Sequence, residues 1–268
     1  VSWWGKVVGG AFGFMLGGPL GALLGAAVGH RFDKGLGGLD HEALESGDQE
    51  RIQSAFFTAT FSVMGHIAKA DGKVTADEIR MAEHIMGQMH LSAEMRKTAQ
   101  RLFNEGKAAD FPLAGVLEQF RRECQRRRNL IRMFIEIQLH AAYADGALHA
   151  NEAAALKLIC RQLGISEFEF RQLETIVRAA HHFSSGGGQR GRTAPPRKDL
   201  LKEAYALLGV KPSDSDADIK KAYRRLMNQH HPDKLVAKGL PEEMISMATQ
   251  KTQEIKAAYE TIKAARKP

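Results

Sequence analysis

Apolar positions along this chain recur at helical spacing, and the fold they predict is all-α. The first element is the plainest. Val7 to Val28 is a run of 22 positions without a charge. At a rise of 1.5 Å each it makes about 33 Å of helix, enough to cross a hydrocarbon core of roughly 30 Å. Trp3 and Trp4 lie where an interfacial anchor would, Lys6 precedes the run, and Arg31 and Lys34 follow it. A single N-terminal transmembrane helix within residues 1–30 is therefore expected, kinked by Pro19. A cleaved signal peptide fits less well, since the run is long and no clear A-x-A site follows. A core helix fits less well again.

Within that span Gly9, Gly13, Gly17, Gly21, Gly25 and Gly29 recur at every fourth position. Such a stripe lets two backbones approach closely in lipid, and it predicts a homodimer with a right-handed crossing. Residues 31–51 are polar and glycine-bearing, a juxtamembrane connector.

Residues 52–181 form the next unit, helical by pattern. Ile52, Phe56, Ala59, Val63 and Ile67 trace one face, Asp71-Gly72 makes a turn, and Thr75-Ala-Asp-Glu78 reads as a capping box. The unit returns 74 residues later: Val63–Ser92 and Ile137–Ser166 share ten identities in 30 positions, among them His66/His140, Asp71/Asp145, Gly72/Gly146 and Glu78/Glu152. This predicts a duplicated helical domain packed on itself. Cys160 aligns with Met86, which points to a buried apolar role. The two Asp-Gly turns lack the further oxygen ligands of an EF-hand, so no metal site is expected, and His66 and His140 read as packing residues.

Arg121-Arg-Glu-Cys-Gln-Arg-Arg-Arg128 is the densest basic run. It reads first as a solvated helix face, and beside a membrane it could rest on anionic lipid. Without interleaved aromatics it does not read as a nucleic-acid surface. Residues 182–198 hold Ser184-Ser-Gly-Gly-Gly188 and Pro195-Pro196 and lose apolar periodicity. They are expected to be a flexible linker, with a reach of roughly 20–25 Å for a coil of about 15 residues.

The last region, 199–268, carries the candidate chemistry. Ile219, Ala222, Tyr223 and Leu226 make an apolar helical face, and Lys220, Lys221, Arg224 and Arg225 lie opposite. Pro232 ends the helix and forces His231 out of the α region, leaving His231-Pro232-Asp233 on a stiff, exposed corner.

This stretch resembles the J domain of DnaJ-type co-chaperones. Tyr205-Ala-Leu-Leu-Gly-Val210 is similar to the end of J-domain helix I, Ile219–His230 to helix II, and Pro241 to about Ala265 to helix III. The resemblance implies a DnaK-type chaperone as partner, with stimulation of its ATPase. The four basic residues would meet its acidic surface, and His231, Pro232 and Asp233 would meet the hinge between its domains. The central unit resembles the tellurite-resistance protein B family through Ala70-Asp71-Gly72…Glu78 and Ala144-Asp145-Gly146…Glu152. The order of anchor, duplicated helical domain, linker and J domain is similar to the bacterial membrane-anchored DnaJ-like protein A family. That likeness implies an inner-membrane, single-pass chain with a periplasmic N-terminus, a cytoplasmic bulk and a part in stress response.

Composition narrows the rest. The chain is 268 residues with a formal charge of +7. That charge favours anionic partners: nucleic acid, an acidic protein surface or an anionic membrane face. Two cysteines, Cys124 and Cys160, in no C-x-x-C pair indicate neither zinc nor disulfides. No nucleophile–base pair or phosphate loop stands out, so neither an enzyme nor a cofactor is expected. The Gly/Phe-rich and cysteine-repeat segments of longer DnaJ proteins do not follow, so recognition of a still unknown client or signalling protein must lie elsewhere. Two other classes remain: a membrane scaffold and a metal-sensing regulator, both acting through the central domain.

Overall fold

The computed structural model describes residues 18–28, 47–70, 76–89, 91–125, 127–143, 146–187 and 197–266, and among them every regular element is helical. In chain order the α-helices are α1 Gly18–Val28, α2 Gly47–Ala68, α3 Ala76–Gln88, α4 Ala93–Gly106, α5 Leu113–Cys124 and α6 Arg128–Ala142. There follow α7 Ala150–Gln162, α8 Glu167–Gly187, α9 Arg197–Leu208, α10 Asp216–His230, α11 Pro232–Val236 and α12 Ile245–Arg266.

The central domain is built around α2. The sequence marks one apolar face on it, yet every side chain from Ile52 to Met64 is buried, Ser54, Thr58, Thr60 and Ser62 included. Small side chains make this possible, because they add little volume to a crowded core; of the four hydroxyls, Ser62's alone is satisfied against its own helix. Ser62 donates to the Thr58 carbonyl at 2.8 Å. The carbonyl of Thr60 accepts from Gln138 Nε2 of α6 at 3.0 Å. On the apolar side Phe56, Phe120 and Phe134 pack with ring centroids 4.7–6.3 Å apart, tying α2, α5 and α6 together.

Where α2 crosses α4 the backbones nearly touch. A Cβ on Gly65 would lie 1.9 Å from the Phe103 carbonyl oxygen, and one on Gly106 would lie 1.8 Å from that of Ser62. Each glycine admits the other helix's backbone.

The duplication appears as α2–α3 and α6–α7. In the second copy Gly146 takes φ +92°, a conformation that favours glycine. Glu152, buried, accepts from the backbone N–H of His149 at 3.0 Å, the capping expected of this motif. Asp71, Thr75 and Asp145 lie outside the described residues. His66 packs on Phe111 and His140 on His181, each with ring centroids 5.4 Å apart. Cys160 and Met86 are both buried, and burial pushes the thiols of Cys160 and Cys124 up to about 12.

Three expectations need correction. The first is the kink: the apolar run puts Pro19 in mid-helix, but Pro19 lies in the first turn of the described helix Gly18–Val28, where the missing N–H costs nothing. Among the described residues no helix is long and apolar enough to cross a membrane. Over its described residues α1 lies on the central domain with Leu20, Leu24 and Ala27 buried. Gln119 Oε1 accepts from the Leu20 N–H and Arg101 donates to the Ala27 carbonyl, each at 2.9 Å. The remainder of the span, 7–17, lies outside the described residues.

The second correction concerns residues 182–187, expected as flexible linker, which continue α8 to Gly187; 188–196 lie outside the described residues. The third concerns the basic run at 121–128, which is not one helix face. It breaks where α5 ends at Cys124 and Gln125 takes φ 29°, and α6 restarts at Arg128, which pairs with Glu169 at 3.1 Å.

Candidate functional site

The C-terminal module is a helical hairpin with a third helix against it. Tyr205, Leu207 and Leu208 of α9, Ile219 and Leu226 of α10, and Ile255, Ala258 and Ile262 of α12 share one core, which also takes Ala179 and Ala180 of α8. Tyr223 stacks on Tyr259 with centroids 4.3 Å apart and planes 17° from parallel. Arg266, at the far end of α12, closes the base. It donates to Tyr205 Oη at 2.8 Å, to Asp216 at 2.6 Å, and to the carbonyls of Pro212 and Asp214. The start of α10 thus meets the end of α12, so the two run antiparallel.

Helix α10 begins three residues earlier than the apolar pattern marks. Ser215 caps it by accepting from the Asp218 N–H at 3.2 Å, and Asp216 and Asp218 sit in the first turn, where negative charge favours the helix dipole. From this fixed start, Lys220, Lys221, Arg224 and Arg225 emerge exposed along one face. Among the described residues none of the four has an acidic partner.

At the other end His231 takes φ −60°, ψ 123°, an extended conformation imposed by the following proline, and Pro232 opens α11 at its first position. The side chains of His231 and Asp233 are 47% and 89% exposed, with Nδ1 and Oδ2 3.9 Å apart. The corner is thus as expected, with one addition: the short α11 after it. The helix III segment also differs, since Pro241 precedes a 3-10 turn at Glu242–Met244 before α12 starts at Ile245.

The flanks of the corner are not free. Leu235, Leu240, Met244 and Ala248 are buried in the central domain's core. His230 Nε2 lies 3.5 Å from Glu136 Oε1 of α6, and Lys251 Nζ lies 3.9 Å from both Glu136 and Glu254. Burial holds the His230 imidazole below its ordinary value, against the pull of Glu136. Sequence reasoning left these residues aside. The signal was present for His230, which continues the apolar stripe of Ile219 and Leu226, and for Glu136, which interrupts the apolar run from Met133 to Ile137.

Of the glycine stripe, Gly21 and Gly25 fall in α1, and Gly21 is buried in this fold; Gly9, Gly13, Gly17 and Gly29 lie outside the described residues.

Known proteins resemble all parts of the chain. Residues 1–40 match the family model of the co-chaperone DjlA transmembrane domain, 57–175 that of tellurite resistance protein TerB, and 203–267 that of the DnaJ domain. A protein of Photobacterium profundum is 46% identical, with 97% of this chain and 98% of the relative covered. One of Yersinia pseudotuberculosis is 47% identical over 98% of each, and one of Escherichia coli K12 is 47% identical over 81% of each. All three carry the name co-chaperone protein DjlA. No solved structure matches.

Proposed function

The chain belongs to the DjlA family of membrane-anchored J-domain co-chaperones, and from that premise we propose that it docks on a cytoplasmic DnaK-type chaperone and stimulates its ATPase. Lys220, Lys221, Arg224 and Arg225 steer the encounter with an acidic surface on the partner. His231, Pro232 and Asp233 make the contact that shifts the partner's conformational equilibrium. The observation that carries this reading is the juxtaposition of an unpaired basic row and a proline-fixed, solvent-facing corner on the same helix. Charge of one sign on an open face raises the association rate, and a pre-set corner loses little freedom on binding. The anchor holds the chain in the inner membrane with its N-terminus periplasmic, since DnaK and ATP are cytoplasmic. Close packing along Gly9, Gly13 and Gly17 pairs two anchors in lipid.

The test is single-turnover ATP hydrolysis by DnaK with the full chain. His231→Gln and Asp233→Asn should abolish stimulation with unchanged circular dichroism, since both side chains lie outside the core. Reversing Lys221 and Arg225 to Glu should slow association and flatten its salt dependence. Full stimulation by a folded His231→Gln chain refutes the assignment.

A further inference from the structure

The exposed corner and its buried flanks belong to one module, and the contrast has a consequence. Leu235, Leu240, Met244 and Ala248 take no part in the J module's own core; they are buried because the central domain covers them. Gly239, at φ +98°, lies so close to the central domain that a Cβ there would sit 2.7 Å from Ile52 Cγ2. Polar contacts ring this apolar patch. Asn129 Nδ2 donates to the Gln229 carbonyl at 3.5 Å, Gln49 Nε2 to the Val236 carbonyl at 3.3 Å, and Ser246 Oγ to the Gln88 carbonyl. In its centre Glu136, 3% exposed, faces His230 and Lys251, the latter 4% exposed. Glu136 on one domain thus has its cationic neighbours on the other, while Lys251 keeps Glu254 of its own module at the same 3.9 Å. Left behind and still covered, the Glu136 carboxylate would be strongly unfavourable.

We propose that the central domain carries a docking surface for its own J module, and that this intramolecular contact competes with the chaperone partner for the flanks of the His231-Pro232-Asp233 corner. The inference rests on the reading above that such a partner binds there. Gln229 and Val236, both held by the central domain, lie two residues before and three after the ends of the segment His231–Asp233. A stable protein interface takes about 800 Å² and roughly 20–30 residues from each side. A footprint of that size centred on the corner cannot avoid the covered segment. The docked state leaves the corner and basic row able to meet the partner, but not to be enclosed by it. Ala179 and Ala180 of α8 belong to the J module's core, so the module parts from α2 and α6 by pivoting on the end of α8, to which it stays attached.

Two arms test this on the full chain in lipid nanodiscs. Glu136→Lys sets a like charge against Lys251. It should speed hydrogen exchange of the amides of 235–251 at least tenfold and lower the concentration for half-maximal ATPase stimulation at least fivefold. In the other arm Gln49→Cys and Val236→Cys are joined by a short bismaleimide. Cys124 and Cys160 are buried and stay unreactive, and the crosslink should cut stimulation at least fivefold relative to the unlinked double variant. Faster exchange with unchanged stimulation, or a crosslinked chain as active as the unlinked one, overturns the proposal. Should Glu136→Lys fail to fold or to open, the crosslink decides. If no chain stimulates, even with 235–251 open, the co-chaperone reading itself fails, a result distinct from equal stimulation by open and closed forms.

Discussion

Replacing Gly65 by Ala tests the fold where two opposed effects predict opposite signs. In an exposed helix, Ala in place of Gly is favourable by about 1 kcal/mol. At the α2–α4 crossing the added methyl would sit 1.9 Å from the Phe103 carbonyl oxygen, where ordinary contact begins near 3.4 Å. The obstacle is backbone, so no rotamer change relieves it, and the helices must part by about 1.5 Å. Overpacking of this kind costs about 1–3 kcal/mol. A radial gap of even 0.5–1 Å forfeits a quarter to a half of each dispersion contact, which affects the buried Ala99, Leu102 and Phe103. The two losses together come to about 4 kcal/mol, and helix propensity returns about 1. A net loss near 3 kcal/mol lowers the melting temperature by about 6–12 °C for a chain of this size.

Gly106→Ala should behave alike, since its Cβ would meet the Ser62 carbonyl oxygen at 1.8 Å. One parting of the helices accommodates both methyls, so the double variant should lose much less than the two single losses added. Thermal and denaturant melts by circular dichroism measure all three. A rise in melting temperature for Gly65→Ala, or strict additivity in the double variant, would refute the close-crossing argument.

Two further outcomes follow from the anchor and from three histidines. Gly17→Leu should weaken self-association in a membrane two-hybrid assay while insertion persists, because Leu is the more apolar; an unchanged signal would free the glycine stripe of any pairing role. Burial lowers the pKa of His66 and His230 and sets His140 well below 6.5. The unfolded chain therefore binds more protons once the pH falls below about 6.5. Stability should be complete above that value and fall as the pH drops toward the folded values, by up to about 1.4 kcal/mol per unit for each group. Melts from pH 8 to 5 check this, and His140→Gln should flatten the dependence.

The all-helical class, the J-like corner and the 74-residue repeat were legible because each is local or self-similar. Ile219, Ala222 and Leu226 are buried as their spacing demands, and Pro232 acts on its immediate neighbour. The docking of Leu240 and Met244 on the central domain was not legible. It depends on matching two surfaces more than a hundred residues apart, and neither surface has a period of its own. The polar members of α2 were hidden for a related reason. Ser54, Thr58, Thr60 and Ser62 read as a solvent face by polarity, but they are small enough to be buried, even though of the four hydroxyls Ser62's alone has an acceptor. Pro19 reads as a kink when the apolar run is taken as one helix, and only the start of α1 at Gly18 puts it in a first turn.

The burial of α2 on every side bears on how the chain is made. Its cover includes Phe120 of α5 and Phe134 and Gln138 of α6. When α2 leaves the ribosome, the end of α6, which closes its phenylalanine cluster, is still about 75 residues of synthesis away. At roughly 5–20 residues per second that leaves an interval of about 4–15 s. Through it a segment rich in phenylalanine, following an apolar N-terminus, lacks part of its native cover. The two repeats cannot mature one after the other, because the core of the first is closed only by the second. A member of a co-chaperone family thus passes through a nascent stage with the uncovered apolar surface that chaperones bind.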